Sequence, residues 1–238
     1  MRNVMAFILC ITVGFLGAPA IGQPETKEGI TAITIPSADI TLSFLQAGRI
    51  DNIKVKEGDK VSATSLLIEQ YMAAELASLS QKKVDLKRLE SAKKRGAATN
   101  LEVEHAQLEL NIAQIRVDNM KLLSPIDGFV EKVHVEVGES AQGLSDVIRV
   151  VRIDPLWIDV HVPQARASEV KVGGNAVVQF PGTGKETTTG KIIFVSRAAD
   201  AASSTLRTRI EVTNKSNRPA GESIKVIFPE SDMIAKSD

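Results

Sequence analysis

Apolar and polar residues alternate in two stretches of this chain, residues 48–59 and 128–139, which align without a gap at an offset of 80 residues. In the first stretch, Ile53 and Val55 are separated by polar residues, which is the period of a strand with one buried face. The pairs that are identical in the two copies are Gly48/Gly128, Val55/Val135 and Gly58/Gly138. Such an internal repeat predicts two equivalent structural units.

Each copy predicts a small half-sheet that cannot bury its apolar face alone. Gly58 or Gly138 permits the positive φ of a tight turn after the strand. Strict alternation fails between residues 50 and 53 and again between residues 130 and 133, so we predict a bend or β-bulge in each copy. The two half-sheets are therefore expected to pack on each other as one β-sandwich.

Residues 69–122, between the copies, have the composition of helices, with no proline and one glycine, Gly96. Thr99 or Asn100 is a suitable N-cap, and Glu102 is placed for a capping box. We predict two antiparallel helices of about 25 residues each that project ~35–40 Å. A heptad repeat predicts the seam between them, with a weaker stripe in the first helix: Leu101, Leu108, Ile115 and Leu122, with His105 and Ile112 as companions, against Leu79, Leu86 and Leu89.

From residue 152 onward the pattern predicts five strands, of which residues 205–212 alternate most clearly. Residues 30–35 predict another strand, which is expected to end at Pro36 because proline cannot donate to a sheet. Residues 41–47 predict a separate strand. The strand at residue 30 and the last five would close a six-stranded barrel. The predicted fold class is mostly β, with a β-sandwich split by an α-helical coiled-coil hairpin, plus a six-stranded β-barrel domain.

Charge and composition argue against several classes of function. Basic and acidic residues balance at 29 each, so nucleic-acid binding has little electrostatic support. The histidines His105, His134 and His161 lack the spacing of a metal site and are expected on the surface. No catalytic triad, pair of catalytic carboxylates or cysteine nucleophile stands out. We predict a protein that is not an enzyme and that uses no cofactor or metal.

The first 22 residues differ from the rest of the chain. Arg2 is their only charge, residues 4–16 are almost wholly apolar, and Ala20 and Gly22 are the small residues that a signal peptidase reads. The apolar run is shorter than the roughly 20 residues of a spanning helix. We predict a secretory signal peptide, with an uncleaved N-terminal anchor as the alternative.

Two half-motifs packed face to face resemble the biotinyl/lipoyl domain. The order half-motif, helical insert, half-motif is similar to the periplasmic adaptor subunits of efflux pumps, the membrane fusion proteins of the HlyD type. Ser-Pro-Ile-Asp-Gly at residues 124–128 resembles this family's entry into the second lipoyl half, and Asp-Pro-Leu-Trp at residues 154–157 resembles the opening of its barrel. The insert replaces the turn that presents the modified lysine of a lipoate or biotin carrier, and it contains no carrier motif, so a carrier is not expected.

The resemblance implies that the hairpin tip docks on an outer-membrane channel. The family's tip carries an Arg, three residues, a Leu, six residues and a Ser; the matching positions here are Arg88, Ala92 and Thr99. Ala92 departs from the pattern, which puts the type of channel in question. Arg95, near the tip, is included in the predicted docking surface. The glycines at the ends of the repeat strands are predicted to have structural roles at turns: Gly48, Gly58, Gly128 and Gly138.

The resemblance further implies a periplasmic adaptor, associated with the inner membrane through a transporter most similar to the RND type, that supports export of small molecules. Copies of the chain would form a ring, a hexamer by resemblance. The alternative is an exported lipoyl–barrel module that binds a ligand or metal without a pump. Such a module should work as a monomer without the hairpin.

The predicted organisation divides the chain into seven segments. They are a signal peptide (1–22), a leader with the first barrel strand (23–39), lipoyl-like half 1 (40–68), the helical hairpin (69–122), lipoyl-like half 2 (123–151), the β-barrel domain (152–229) and a tail (230–238).

Overall fold

The computed structural model describes residues 28–182 and 186–229; the predicted signal peptide and tail lie outside these ranges. The described residues form twelve strands, two α-helices and one 3-10 helix. In chain order these are β1 (Ile30–Leu42), β2 (Gly48–Ile53), β3 (Lys60–Val61), β4 (Leu66–Gln70), α1 (Ala73–Lys94), α2 (Asn100–Asp118), β5 (Lys121–Leu123), β6 (Gly128–Val133), β7 (Ser140–Ala141), β8 (Ile148–Pro163), the 3-10 helix (Gln164–Glu169), β9 (Asn175–Gln179), β10 (Thr187–Val195), β11 (Thr205–Val212) and β12 (Ser223–Ile227).

The two copies of the repeat interlock in one β-sandwich. Strand β2 of the first copy pairs with β7 of the second, and β3 of the first pairs with β6 of the second, both antiparallel. The register is symmetric, because Gly48 faces Ala141 and Val61 faces Gly128, positions that are equivalent under the 80-residue offset. One sheet has the order β5-β4-β2-β7, and the other contains β1, β8, β6 and β3. The prediction of a single sandwich is confirmed.

Both predicted β-bulges are present. The pairing of β2 with β4 shifts register between Ile50 and Asn52, and the pairing of β6 with β8 shifts between Val130 and Lys132. Each bulge follows a fully buried residue at the start of its strand. One core fills the space between the sheets with side chains of both copies: Phe44, Ile50, Val61, Leu67, Ile68, Leu122, Val130, Val135, Ala141, Val147, Ile148 and Val150.

A closed barrel of six strands forms the second core. The strand order is β1-β12-β9-β10-β11-β8, and the pairing of β1 with β8 closes it. The alternation predicted for β11 holds, because Thr208, Ile210 and Val212 point inward and are buried. The barrel interior is aliphatic with two phenylalanines, Phe180 and Phe228.

Strand β1 does not end at Pro36, so the prediction of two separate strands is wrong. The strand pairs with β8 from Ile33 opposite Asp159 to Leu42 opposite Ile148. Its register shifts between Pro36 and Ala38, and a proline, which lacks an N–H, is tolerated where the ladder is already irregular. Strands β1 and β8 therefore form one ribbon that belongs to the barrel at one end and to the sandwich at the other.

The helical hairpin is present, but its seam differs from the prediction. In α2 the buried residues are Ala106, Ala113 and Val117, and Leu79 and Leu86 are buried on α1. The predicted seam residues on α2, Leu101, Leu108, Ile112 and Ile115, are exposed, as is His105; Leu122 lies in β5. Small side chains at the contact let two helices approach closely, which large leucines at the same positions would prevent. Helix α1, with 22 residues, is about 33 Å long.

Candidate docking surface

The hairpin turns tightly at its tip. Helix α1 ends at Lys94, and the backbone N–H groups of Arg95 and Ala97 both donate to the Ala92 carbonyl, at 3.0 and 2.9 Å. Gly96 follows with φ +73°, a left-handed conformation that glycine adopts without a steric penalty and that commonly ends helices. The chain thus reverses within five residues, and the predicted tip at Gly96 is confirmed.

Thr99 begins α2 as its N-cap, in the predicted capping box. Its Oγ1 accepts from the Glu102 N–H at 3.2 Å, and its own N–H donates to Glu102 Oε2 at 2.7 Å. The hydroxyl also donates to Glu102 Oε2 at 2.8 Å. Hydrogen bonds from the Thr99 backbone and then from its hydroxyl hold the pKa of Glu102 below its usual value. Thr99 is exposed, yet its polar groups are already engaged within the hairpin.

Arg88 on α1 and Arg95, the C-cap of that helix, line one open groove of about 480 Å³. The other residues of the groove wall are Val84, Lys87 and Ser91. Ala92 is half-buried and does not line the groove. Its carbonyl accepts the two hydrogen bonds of the turn. The structure therefore brings two of the four predicted docking residues into one surface and places Thr99 across the turn.

This surface is basic. The Arg88 side chain is 76% exposed, and its Nη1 lies 4.0 Å from Asp85 Oδ1, at the limit of an ion pair. Lys93 and Lys94 occupy the last turn of α1, where they also complement the helix dipole. An exposed cluster of guanidinium and ammonium groups can recognise carboxylates or carbonyl oxygens on a partner.

The four repeat glycines fulfil two different structural requirements. Gly58 and Gly138 have φ of +89° and +90°, and a Cβ added at either position would meet no atom within 4 Å. A Cβ on Gly128 would lie 2.4 Å from the Val151 carbonyl oxygen, and one on Gly48 would lie 2.7 Å from Cδ of Gln70. The first pair is needed for backbone conformation, and the second for close approach.

Three charged side chains on the barrel form a cluster that the sequence pattern did not reveal. Asp159 accepts from Arg209 Nε at 2.7 Å and from Arg207 Nη2 at 2.7 Å, and the Arg209 guanidinium lies 4.5 Å from the centroid of the Trp157 ring. The pairing register of β8 with β11 brings these groups together, because Arg209 lies directly opposite Asp159 and Arg207 lies opposite His161, two residues further along β8.

Within the described ranges, no cluster of three His, Cys, Asp or Glu side chains could hold a metal ion. His105, His134 and His161 are all exposed, as expected from their spacing. None of the helices in these ranges combines the length and the apolarity needed to cross a membrane.

The barrel matches a known domain family. The model of the CusB-like β-barrel domain matches residues 155–226, which run from the middle of β8 to the end of β12. The multidrug export protein EmrA of Haemophilus influenzae is 24% identical over 84 residues, 35% of this chain and 22% of that protein. The chain spans 63% and 54% of the length of the two curated relatives that it matches over most of its own sequence.

Two solved structures share the fold over most of the chain. A MacA–MexA chimeric protein, which contains the α-hairpin domain of Pseudomonas aeruginosa MexA, has a TM-score of 0.67 and 20% identity, and the match covers 84% of this chain and 80% of that one. The membrane fusion protein Spr0693 of Streptococcus pneumoniae has a TM-score of 0.64 and 21% identity, covering 83% and 99%. The chain therefore shares the fold of these two proteins, and residues 155–226 of its barrel match the model of the CusB-like β-barrel domain.

Proposed function

We propose that this protein is a non-enzymatic periplasmic adaptor that links an inner-membrane efflux transporter, of the RND type, to an outer-membrane channel. The observation that carries the proposal is the hairpin itself. It projects about 33 Å from the sandwich with an exposed, basic tip, and such reach contributes little to a core. A docking probe is the function that this geometry supports best.

The attachment of the hairpin supports the same reading. Helices α1 and α2 pack principally on each other, and their small core consists of Leu79, Ala113 and Val117. At the base, the Gln70 N–H donates to the Met120 carbonyl at 2.9 Å, so the chain leaves and re-enters the sandwich at adjacent points. The hairpin is thus a separable projection between two paired strands, β4 and β5.

At the other end of the molecule, the barrel is the part that we propose to contact the transporter. The barrel is joined to the sandwich by the β1–β8 ribbon, so a force on the barrel reaches the sandwich through two continuous strands. Copies of the sandwich would stand side by side in a ring, a hexamer by resemblance, and weak contacts of several copies then add through multivalency. Export of small molecules across the envelope is the process that this assembly would support.

A ligand-binding module without a pump is less well supported. The groove at the junction of barrel and sandwich, about 630 Å³, has mostly apolar walls, among them Ile33, Phe129 and Ile153. Its Asp39 and Arg149 are bound to each other, with Arg149 Nε 2.7 Å from Asp39 Oδ1. Because Asp39 and Arg149 are engaged with each other, few polar groups remain to converge on a ligand.

Co-purification from the native host tests the proposal. The full-length protein with a C-terminal tag is crosslinked in the envelope, and the proteins retained are identified. A matched variant replaces residues 72–119 by a short turn, which the Gln70–Met120 hydrogen bond makes sterically feasible. We expect the intact protein to retain a transporter and a channel, and the variant to retain the transporter alone. If the intact protein and the variant are both recovered without a transporter and without a channel, the proposed adaptor function is wrong.

A further inference from the structure

The groove at the junction of barrel and sandwich has a floor that crosses from one domain to the other. Strands β1 and β8 form most of it, and three residues lie in one row across the sandwich sheet: Asp39 pairs with Val151, and Val151 pairs with Phe129 on β6. Ile33 and Ile35, further back along β1, continue the floor onto the barrel. A molecule in the groove would therefore contact both domains.

The opposite wall is the loop between β11 and β12, and hydrogen bonds hold it in place. The carbonyl of Thr34, a buried residue of β1, accepts from the Gly221 N–H at 2.8 Å. Asn214, which is also buried, donates from Nδ2 to the Ile153 carbonyl at 2.9 Å. The groove therefore keeps its shape without a ligand, and a site that is already formed has less ordering to offset when it binds.

The lining of the groove is mostly apolar and of useful size. Its aliphatic and aromatic members include Ile33, Phe129 and Ile153, and Ile33 is 56% exposed although isoleucine is among the residues most often buried. The volume, about 630 Å³, is within the range of pockets that hold drug-sized molecules. Such walls suit a largely apolar molecule, because the area that it removes from water stabilises the complex.

The charges of the lining add to −1. Asp39 and Arg149 neutralise each other, since Arg149 Nε donates to Asp39 Oδ1 at 2.7 Å. The exposed carboxylate of Glu131 forms no hydrogen bond or ion pair with any other residue that the structure describes. Lys60, which pairs with Phe129 from β3, lies outside the lining. The one unpaired charge in the groove is therefore negative and complements a single positive charge on a ligand.

We propose that the groove binds an amphipathic organic cation, with its apolar body on Ile33, Phe129 and Ile153 and its positive charge beside Glu131. A polar ligand would find few free groups here, whereas an apolar molecule with one positive charge needs only one carboxylate. The site goes beyond the proposed function, because a protein that only joins a transporter to a channel needs no ligand site. Since the ligand would touch both domains, its binding would stabilise their observed relative position.

Titration calorimetry of the purified full-length protein tests the site with two probes of the same shape and opposite charge, tetraphenylphosphonium and tetraphenylborate. We expect saturable binding of tetraphenylphosphonium, about tenfold tighter than binding of tetraphenylborate. Glu131→Gln should weaken binding of the cation about two- to fivefold and strengthen binding of the anion by a similar factor, as expected for one exposed charge. Asp51→Asn is the matched control, because Asp51 is the exposed residue at the equivalent position of the first copy and lies outside the groove.

The apolar wall is tested by Ile33→Ser. This variant should weaken binding of both probes about tenfold, because it removes a large side chain from the contact, and it should unfold at the same urea concentration as wild type, because Ile33 is mostly exposed. Val172→Ser is the control, since Val172 is 65% exposed and lies outside the groove. Methyl NMR spectra should show tetraphenylphosphonium shifting the signals of Ile33, Ile35 and Ile153.

The outcomes decide between the cation site and its alternatives. Equal affinity for the two probes, affinities unchanged in both Glu131→Gln and Ile33→Ser, or no saturable binding would each overturn the proposal. Self-association that is lost in Ile33→Ser would also overturn it, because a second copy of the chain then covers the groove. Co-purification with a transporter and a channel is measured independently of these titrations, so a failure of the cation site leaves the adaptor function standing, and the reverse also holds.

Discussion

Arg209 binds Asp159 through two hydrogen bonds, at 2.7 Å from Nε to Oδ1 and 2.9 Å from Nη2 to Oδ2, across the paired strands β8 and β11. Burial raises the pKa of the Asp159 carboxyl, but the hydrogen bonds from Arg209 and Arg207 lower it by more, so its pKa lies below the ordinary value. The folded barrel therefore favours the ionised carboxylate.

This relationship predicts how the stability of the barrel depends on pH. A carboxylate whose pKa is lowered by folding stabilises the fold above the pKa of the unfolded chain, near 4, and the stabilisation is lost as the pH falls through the folded value. Asp159→Asn should cost about 1 kcal/mol at pH 7, since the side chain keeps 22% of its surface exposed, and the difference from wild type should shrink below about pH 4.

Urea unfolding at a series of pH values measures this difference. Asp146→Asn is the control, because Asp146 is exposed in the loop before β8 and lies away from the arginines. Equal stability of the Asp159→Asn and wild-type proteins across the whole range would contradict the role assigned to the Asp159–Arg209 pair.

At the tip, helix capping and channel docking can be tested separately, because we expect them to depend on different residues. Thr99→Ala removes the oxygen that accepts from the Glu102 N–H and should destabilise the first turn of α2 by about 1 kcal/mol. Thr99→Ser keeps that oxygen and should keep the turn. Faster hydrogen exchange of the Glu102 amide in Thr99→Ala alone would show the capping role.

Channel docking supplies the second measurement for the same pair of variants. If the tip docks through Arg88 and Arg95, Thr99→Ser should retain the channel in co-purification, while Arg88→Ala/Arg95→Ala should lose it without any change in the exchange of the Glu102 amide. Retention of the channel by the double arginine variant would remove these two residues from the docking surface.

The alternation of buried and exposed residues after the second bulge predicts opposite effects for two neighbouring valines. Val135 is 8% exposed in the sandwich core, whereas Val137 is 63% exposed. Val135→Asp buries an unpaired carboxylate and should cost at least ~3 kcal/mol or prevent folding, while Val137→Asp should stay within about 0.5 kcal/mol of wild type. Thermal unfolding by circular dichroism checks both, and a folded Val135→Asp protein of normal stability would show that the register is wrong.

Much of the fold could be predicted because local signals and the repeat agreed. Val55 and Val135 occur at equivalent places in two copies, and such a repeat constrains the sandwich more strongly than either copy alone. The capping box at Thr99 and Glu102 was visible because both of its hydrogen bonds join residues three apart in sequence. A sequence signal that depends on a few neighbouring residues holds regardless of how the rest of the chain packs.

The hairpin seam could not be predicted, because α2 carries two apolar stripes. A heptad of leucine and isoleucine indicates that something packs there, but periodicity does not name the partner. Ala106 and Ala113 repeat with the same period of seven, and their small size admits the closer contact with α1. The choice between the stripes depends on α1 and on other molecules, neither of which the α2 pattern contains. Likewise, the cluster at Asp159 depends on the register of two strands 50 residues apart.

Gly48 and Gly128 precede the two bulges at equivalent positions of the repeat, but we expect their replacement to have unequal effects. A Cβ at position 128 would lie 2.4 Å from the Val151 carbonyl oxygen, so the backbone of β6 or β8 must move. At position 48 the obstacle is the end of the Gln70 side chain, which can change rotamer, although it is buried and its Nε2 donates to the Gln46 carbonyl at 3.1 Å. We expect Gly128→Ala to cost about 3 kcal/mol and Gly48→Ala about 1 kcal/mol.

The other glycine pair provides the internal control for this comparison. Gly58 and Gly138 have nearly the same φ, +89° and +90°, and a Cβ would meet nothing within 4 Å at either position. Gly58→Ala and Gly138→Ala should therefore cost the same amount, about 1–2 kcal/mol, from the left-handed conformation alone. Urea unfolding of all four variants tests the prediction. Equal losses at positions 48 and 128 would mean that Gln70 is as immovable as a backbone carbonyl, because its hydrogen bond to Gln46 then holds the side chain in place.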